Sequence, residues 1–197
     1  MVKTDKLLAF YSLFVSQEDS EDRDNRTLIE AAESGWWYSS RLSQNRRVVA
    51  YHTDDDDPSA KLARTPDAFL ELLRNHTRHI SEIIQACNYD YAPGGKFPRH
   101  TAACSSSLDP ICNETEHWCA VGDAAMAFDP LSSQGMITAL KTGCFVGEEL
   151  AKRVAESDEI RSISDHFEAM VAKYEKEKKY HYTQARFDGE FWAKRRV

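Results

Sequence analysis

AVGDAAMAFDPLSSQG, residues 120–135, is the stretch on which the reading of this chain turns. An apolar run meets Gly122-Asp123, passes through small residues to Asp129-Pro130, and ends in Ser132-Ser133-Gln134-Gly135 before a long helical pattern. HWCAV just upstream is expected to be a strand ending at Gly122. That puts Asp123 at its carboxyl end, a common place for ligand contacts in mixed α/β proteins. A carboxylate there accepts hydrogen bonds from ligand hydroxyls, as acids do for ribose in dinucleotide sites. Ala124, Ala125 and Ala127 keep the segment thin enough for a bulky planar ligand to reach the backbone. Pro130 fixes φ and removes one N–H. Ser132 to Gly135 lead into a helix whose opening N–H groups lack intrahelical partners and suit an anionic oxygen. One end of the loop suits a polyol, the other a ring bearing negative charge.

Around this stretch the chain has the composition of an ordinary globular protein: 197 residues, 42% hydrophobic and 29% charged. No apolar run approaches the ~18 residues that span a bilayer. The opening MVKTDKLLAFYSLFVSQEDSED lacks the small-residue cleavage site of a signal peptide, so a cytoplasmic protein is expected, without a membrane partner. A net charge of −7 argues against a nucleic-acid partner. The cysteines Cys87, Cys104, Cys112, Cys119 and Cys144 are odd in number and form no CxxC pair, so reduced thiols are expected and no metal site.

The first third reads as β structure. LLAFYSLFV (7–15), TLIEAA, GWWYSSRL and RRVVAYHT are strand-like runs, with the charged loop QEDSEDRDNR after the first. Alternation places Trp36, Tyr38, Ser40 and Leu42 on one face of GWWYSSRL, and Trp37, Ser39 and Arg41 on the other. Ser43-Gln44-Asn45 makes a hairpin of the last two runs, within an antiparallel sheet of about three or four strands. DDDDPSAKLARTP breaks the pattern. From Pro66, with Thr65 as N-cap, apolar spacing predicts one helix to about Cys87. NYDYAPGGKFPRH reads as a loop, CSSSL and HWCAV as short strands, and residues 135–155 and 162–186 as helices.

A reduced flavin has both a polyol and a ring with negative charge. The stretch Gly122-Asp123-Ala124-Ala125, followed by Pro130 and Gly135, resembles the second FAD-binding motif of the FAD-dependent monooxygenases, or group A hydroxylases. Its Asp-Pro and Ser-Ser are similar to those of flavin-dependent halogenases and geranylgeranyl reductases. The resemblance implies that Asp123, beside Gly122, binds the ribityl chain of FAD. Pro130 lies by the isoalloxazine, and the backbone at Ser133, Gln134, Gly135 and Met136 lies at its N1/O2 edge. Many hydroxylases carry His where this chain has Met126. GWWYSSRLSQNRRVVAYHTD is similar to the substrate-domain hairpin, and ARFDGEFWAKRR to the C-terminal segment, of a bacterial-type subgroup that modifies a tryptophan in a partner amine oxidase to build a quinone cofactor. The likeness runs from about Leu7 to Arg196. It implies a monooxygenase-like oxidoreductase acting on a small-molecule or protein-bound aromatic substrate. Trp36, Trp37 and Tyr38 are its candidate pocket residues, against the plainer reading of Trp36 and Trp37 as one core residue and one half-buried residue. No catalytic side chain is identified.

Such enzymes open with a Rossmann unit carrying GxGxxG. The eight glycines, Gly35, Gly94, Gly95, Gly122, Gly135, Gly143, Gly147 and Gly189, include no such spacing. The FAD site is therefore expected to be incomplete, without its ADP-binding half. The chain then reads as a C-terminal portion: a separately encoded half that pairs with a Rossmann polypeptide, a truncated product, or a degenerate relative. The alternative function is a non-catalytic remnant or binding module. The expected fold is α+β, an incomplete FAD/NAD(P)-binding fold: a substrate-domain-like antiparallel sheet plus helix over 1–110, the second FAD motif over 111–160, and a helical segment over 161–197.

Other features read plainly. Asp54–Asp57 lacks the order of EF-hand ligands and is a solvated loop. His76 and His79 have no HExxH partner motif. Cys104 before three serines is not GxSxG. Phe191 and Trp192 dock the last helix.

Overall fold

The computed structural model describes residues 2–3, 5–16, 22–113, 115–155 and 162–196. The chain forms two compact units that interleave along the sequence. One comprises Lys6–Ala103 and Ala185–Arg195, the other Met1–Asp5, Cys104–Gln184 and Arg196.

After the short strand β1 (Val2–Lys3), β2 (Leu7–Ser16) forms the spine of the first unit. With β3 (Leu28–Ala32), β4 (Gly35–Leu42), β5 (Arg46–Asp54) and β6 (Tyr89–Tyr91) it makes an antiparallel sheet of order β3-β4-β5-β2-β6. A further strand, β7 (Arg99–Ala102), also pairs with β2. The sheet thus exceeds the three or four strands expected, because part of the predicted loop 88–100 is strand. β6 and β7 share the free edge of β2, one pairing with Phe14–Ser16 and the other with Leu8–Tyr11. Pro93, Gly94, Gly95 and Pro98 fall between them, where no ladder N–H is needed. The β4–β5 hairpin closes through Gln44 and Asn45, both at positive φ (62° and 51°). The expected loop after β2 falls partly on residues 17–21, outside those described.

Phe10, Phe14, Trp37, Val49 and Tyr51 form a core with Phe69 and Leu73 of α2 (Pro66–His76) and Ile80 and Ile84 of α3 (His79–Ala86). Before these, α1 (Pro58–Leu62) arises inside the aspartate run. Asp57 caps it by accepting the Ser59 N–H at 2.8 Å, and Pro58 takes the first turn. The single helix expected to Cys87 is in fact two. Thr77 is extended, and its hydroxyl donates to the Leu73 carbonyl at 2.7 Å. The Glu30 carboxylate on β3 then accepts the N–H groups of Arg78, His79 and Ile80 at 2.8, 3.2 and 2.7 Å, restarting the helix. Near the other end of the chain, the Trp192 indole N–H donates to the Ala32 carbonyl at 2.9 Å, and Arg195 pairs with Asp54. The terminal aromatics therefore dock against the sheet unit.

In the second unit, β1, β8 (Ser106–Ser107) and β11 (Met126–Ala127) form a small antiparallel sheet. The hairpin β9 (Cys112–Asn113)/β10 (Trp118–Cys119) sets Cys112 opposite Cys119, and the two are joined as a disulfide. Reduced thiols were expected there; cross-strand pairing brings together two cysteines whose spacing alone carried no signal. Cys87, Cys104 and Cys144 are free. Two long helices complete the unit, α4 (Gly135–Val154) and α5 (Ile163–Thr183), the latter capped by Ser162. Ala125, Met126, Phe145, Val146, Ile163 and Phe167 are its core.

Candidate functional site

The stretch 122–136 lies wholly in the second unit, between β10 and α4. Gly122 takes φ +56°, and a Cβ there would meet the Ala139 side chain at 3.0 Å. Its N–H donates to the buried Thr142 hydroxyl at 3.0 Å, which in turn donates to the Thr138 carbonyl at 2.8 Å. A glycine and a threonine thus fasten the head of the loop onto α4. The expected strand HWCAV covers only Trp118 and Cys119, and Gly122–Ala124 is a 3₁₀ turn. Asp123 at its centre is exposed, and among the described residues nothing donates to its carboxylate. Met126 is a buried core residue.

Past Phe128, which stacks on Tyr174 with ring centroids 4.0 Å apart, the chain dives inward at Asp129, only 1% exposed. One carboxylate oxygen accepts from the Tyr182 hydroxyl at 2.6 Å, the other from the Leu131 N–H at 2.9 Å. The Asp129 N–H donates to the Tyr174 hydroxyl at 2.8 Å. Burial pushes the Asp129 carboxyl above its ordinary range, against the opposing effect of the Tyr182 and Leu131 hydrogen bonds and the Lys178 charge. Pro130–Ser132 is a second 3₁₀ turn, closed by Ser133 in the left-handed region (φ 52°). The Gln134 amide donates to the Glu177 carboxylate.

The loop surfaces again at Gly135, where a Cβ would meet only open space, and at Met136, 85% exposed. Gln134, the N-cap residue, supplies no side-chain cap, so the N–H groups that open α4 are left to a ligand or to water. Beside this helix start runs a groove of about 550 Å³, lined by Phe128, Gln134, Ile137, Phe145, His166 and Tyr174 among others. Of the expected cofactor contacts, Asp123, Pro130, Ser133, Gly135 and Met136 are exposed, Gln134 is half-buried and Gly122 is buried. An unpaired carboxylate at one end and uncapped N–H donors at the other are what a polyol and an electron-rich ring edge require. The residues present fit that part of a flavin.

Trp36, Trp37 and Tyr38 belong to the sheet unit. Trp37 is a core residue, stacked on Tyr51. Trp36 faces the other side, stacked on His52 with ring centroids 3.6 Å apart, and both tryptophans are fully enclosed. Tyr38, on the same face as Trp36, is half-buried. Burial pushes the His52 pKa down to about 3, so the ring is neutral near pH 7. Among the described residues no three His, Cys, Asp or Glu side chains gather as metal ligands, and no helix is long and apolar enough to cross a membrane. The residues that sequence reasoning missed are Thr142, Tyr174 and Tyr182, together with the inward role of Asp129. Their one signal is the eight-residue interval between the two tyrosines, which aligns them on one face of α5.

No family model matches the chain. It is 26% identical over 185 residues to LodB of Marinomonas mediterranea, a protein named as an FAD-dependent oxidoreductase; the match covers 94% of this chain and 46% of LodB. Among solved structures it superposes on CmlS, a flavin-dependent halogenase, with a TM-score of 0.76 at 20% identity, covering 97% of this chain and 35% of CmlS. On QhpG, a peptidyl tryptophan dihydroxylase, the TM-score is 0.63 at 19% identity, covering 99% and 45%. The chain spans less than half the length of each of these proteins. It is similar over part of its length to an FAD-dependent oxidoreductase and has the fold of the matching part of flavin-dependent halogenases and monooxygenases.

Proposed function

We propose that this chain supplies the ribityl and isoalloxazine side of an FAD site, together with a substrate surface, in a monooxygenase-like oxidoreductase of the cytoplasm. The carrying observation is the contrast along residues 122–136. Gly122 and Asp129 are fastened inward, while Asp123 and the start of α4 are left outward and unsatisfied. Asp123 accepts from the ribityl hydroxyls. Pro130 borders the ring, and the N–H groups of Gly135 and Met136 face its electron-rich edge. When bound, the flavin supplies the redox chemistry; the protein orients it and excludes water.

The pyrophosphate and adenosine contacts come from a dinucleotide-binding domain outside these 197 residues. Its support is the outer face of α4. Met136, Leu140, Leu150 and Val154, with Gly143 and Gly147 between them, form one stripe that this chain leaves in solvent. The substrate is a small-molecule or protein-bound aromatic group; of the three candidate pocket residues only Tyr38 is partly open to it, Trp36 and Trp37 being enclosed.

The same exposed stripe favours a second reading, a non-catalytic module that holds a protein partner without flavin. FAD titration of the purified chain, alone and with a dinucleotide-binding domain, separates the two. Flavin absorbance that co-elutes with the protein and drops on Asp123→Ala supports the enzyme reading. A colourless protein under both conditions overturns it and leaves the module.

A further inference from the structure

Under the exposed loop lies a largely buried polar chain that the flavin reading does not use. Tyr182 donates to Asp129, and Asp129 accepts the Leu131 N–H and donates its own N–H to Tyr174. The Tyr174 hydroxyl lies 2.7 Å from the Ser105 hydroxyl, to which the Lys178 ammonium donates at 3.4 Å. Lys178 in turn reaches the Asp5 carboxylate at 3.3 Å. Tyr174, Lys178 and Tyr182 recur every four residues, so one face of α5 is given over to this chain.

A buried carboxylate is costly unless its oxygens are satisfied, and here each accepts at least one hydrogen bond. What those bonds hold is the tight turn Pro130–Ser133. Its Ser132 N–H and hydroxyl both return to the Asp129 carbonyl, at 3.0 and 2.8 Å, and Ser133 sits at the left-handed φ that a non-glycine residue avoids. The exposed start of α4 follows directly. The Gln134–Glu177 bond, the Gly122–Thr142 bond and the packing of Phe145 and Val146 hold the body of the helix, and this turn sets how the chain enters it.

We propose that Tyr182 and Tyr174, acting through Asp129, are positioning residues. They lock the 130–133 turn so that the opening N–H groups of α4 stand outward in a fixed direction. That the group they await is a flavin rests on the function proposed above; the locking itself does not.

The test uses the full chain and two readouts. Amide hydrogen exchange is followed without flavin at Leu131, Ser132 and Ser133, and FAD is titrated in parallel. Tyr182→Phe keeps the ring and removes only the donor. It is expected to speed exchange at those three amides roughly tenfold while α4 and the small sheet stay protected. It is also expected to raise the FAD Kd roughly tenfold, as loss of a hydrogen bond to a charged group does. Tyr180→Phe, exposed on the same helix, leaves both readouts unchanged. In an Asp129→Asn background the Tyr182→Phe effect shrinks, because its acceptor is already altered.

If the wild-type chain takes up no FAD, the flavin reading falls and exchange alone decides the locking. Acceleration confined to 131–133 supports it; unchanged or uniformly faster exchange overturns it. If Tyr182→Phe does not fold, Tyr174→Phe is read by the same criteria.

Discussion

Arg47 and Asp22 meet inside the sheet unit with 2.7 Å between guanidinium and carboxylate, both side chains shut off from solvent. The Arg47 fork also donates to the Ser39 hydroxyl and the Asp24 carbonyl, and Tyr89 donates to Asp22 at 2.8 Å. Burial alone pushes the Asp22 carboxyl up. The hydrogen bonds from Arg47, the Asp24 N–H and Tyr89 outweigh it, and the net shift is downward from 3.8. A lowered folded value means the pair stabilises above the ordinary carboxyl range, and that stability is lost as pH falls through the folded pKa. Arg47→Met strands a buried carboxylate and is expected to cost about 3–5 kcal/mol in urea unfolding at pH 7. The double variant Asp22→Asn/Arg47→Met recovers much of that loss. A single variant within about 0.5 kcal/mol of wild type contradicts this account.

His52 titrates with the opposite consequence. Its folded pKa of about 3 lies below the ordinary 6.5, because burial against Trp36 disfavours the imidazolium. Between those values the unfolded chain binds a proton that the folded chain does not, so stability falls as pH drops from 6.5 toward 3. The slope from this residue is at most about 1.4 kcal/mol per pH unit. His52→Phe preserves the stacked pair and removes the titration. Between pH 7 and pH 5.5, unfolding free energies of the variant are expected to change less than those of wild type, by about 1 kcal/mol. Identical pH profiles show that His52 is reached by solvent protons in the folded state.

The local elements were readable because their causes are local. Apolar and aromatic content marks residues 7–15 as a strand, alternation separates Trp37 from Trp36, and Pro66, Ser162 and Gly135 mark helix starts. What escaped reading depends on distant partners. The break between α2 and α3 is made by Glu30, some 50 residues upstream, while the apolar spacing runs through it unbroken. Trp36 and Trp37 are both enclosed because the sheet is covered on both faces at that point, whereas alternation promised one core residue. Asp129 read as part of a family motif, but its role depends on Tyr182, 53 residues later on another helix. Of the candidate site, the ligand-facing residues were legible in the loop and the residues that hold the loop were not.

The glycines on either side of the site carry opposite expectations. Gly122 has positive φ and a neighbour at 3.0 Å, so Gly122→Ala is expected to cost about 1–2 kcal/mol in thermal unfolding and to weaken FAD uptake. Gly143 and Gly147 sit inside α4 with open space where a Cβ would be. Alanine at either is expected to stabilise the isolated chain by about 0.5–1 kcal/mol through helix propensity. A loss of stability at Gly143 or Gly147 means that their side of α4 is already covered in the isolated chain.

The outer face of α4 gives the last prediction. Leu140 is 71% exposed and Val154 is 87% exposed, so a charge at either disturbs little within this chain. Leu140→Glu and Val154→Lys are expected to shift its own stability by no more than about 0.5 kcal/mol. If a dinucleotide-binding domain covers this stripe, each variant places an unpaired charge in an apolar contact. Burying a leucine-sized side chain is worth about 1.5–3 kcal/mol, so association should weaken at least tenfold. Sedimentation velocity of the mixed polypeptides, with FAD present, reads the change directly. Association that survives both substitutions moves the docking surface elsewhere and leaves the exposed stripe to another partner.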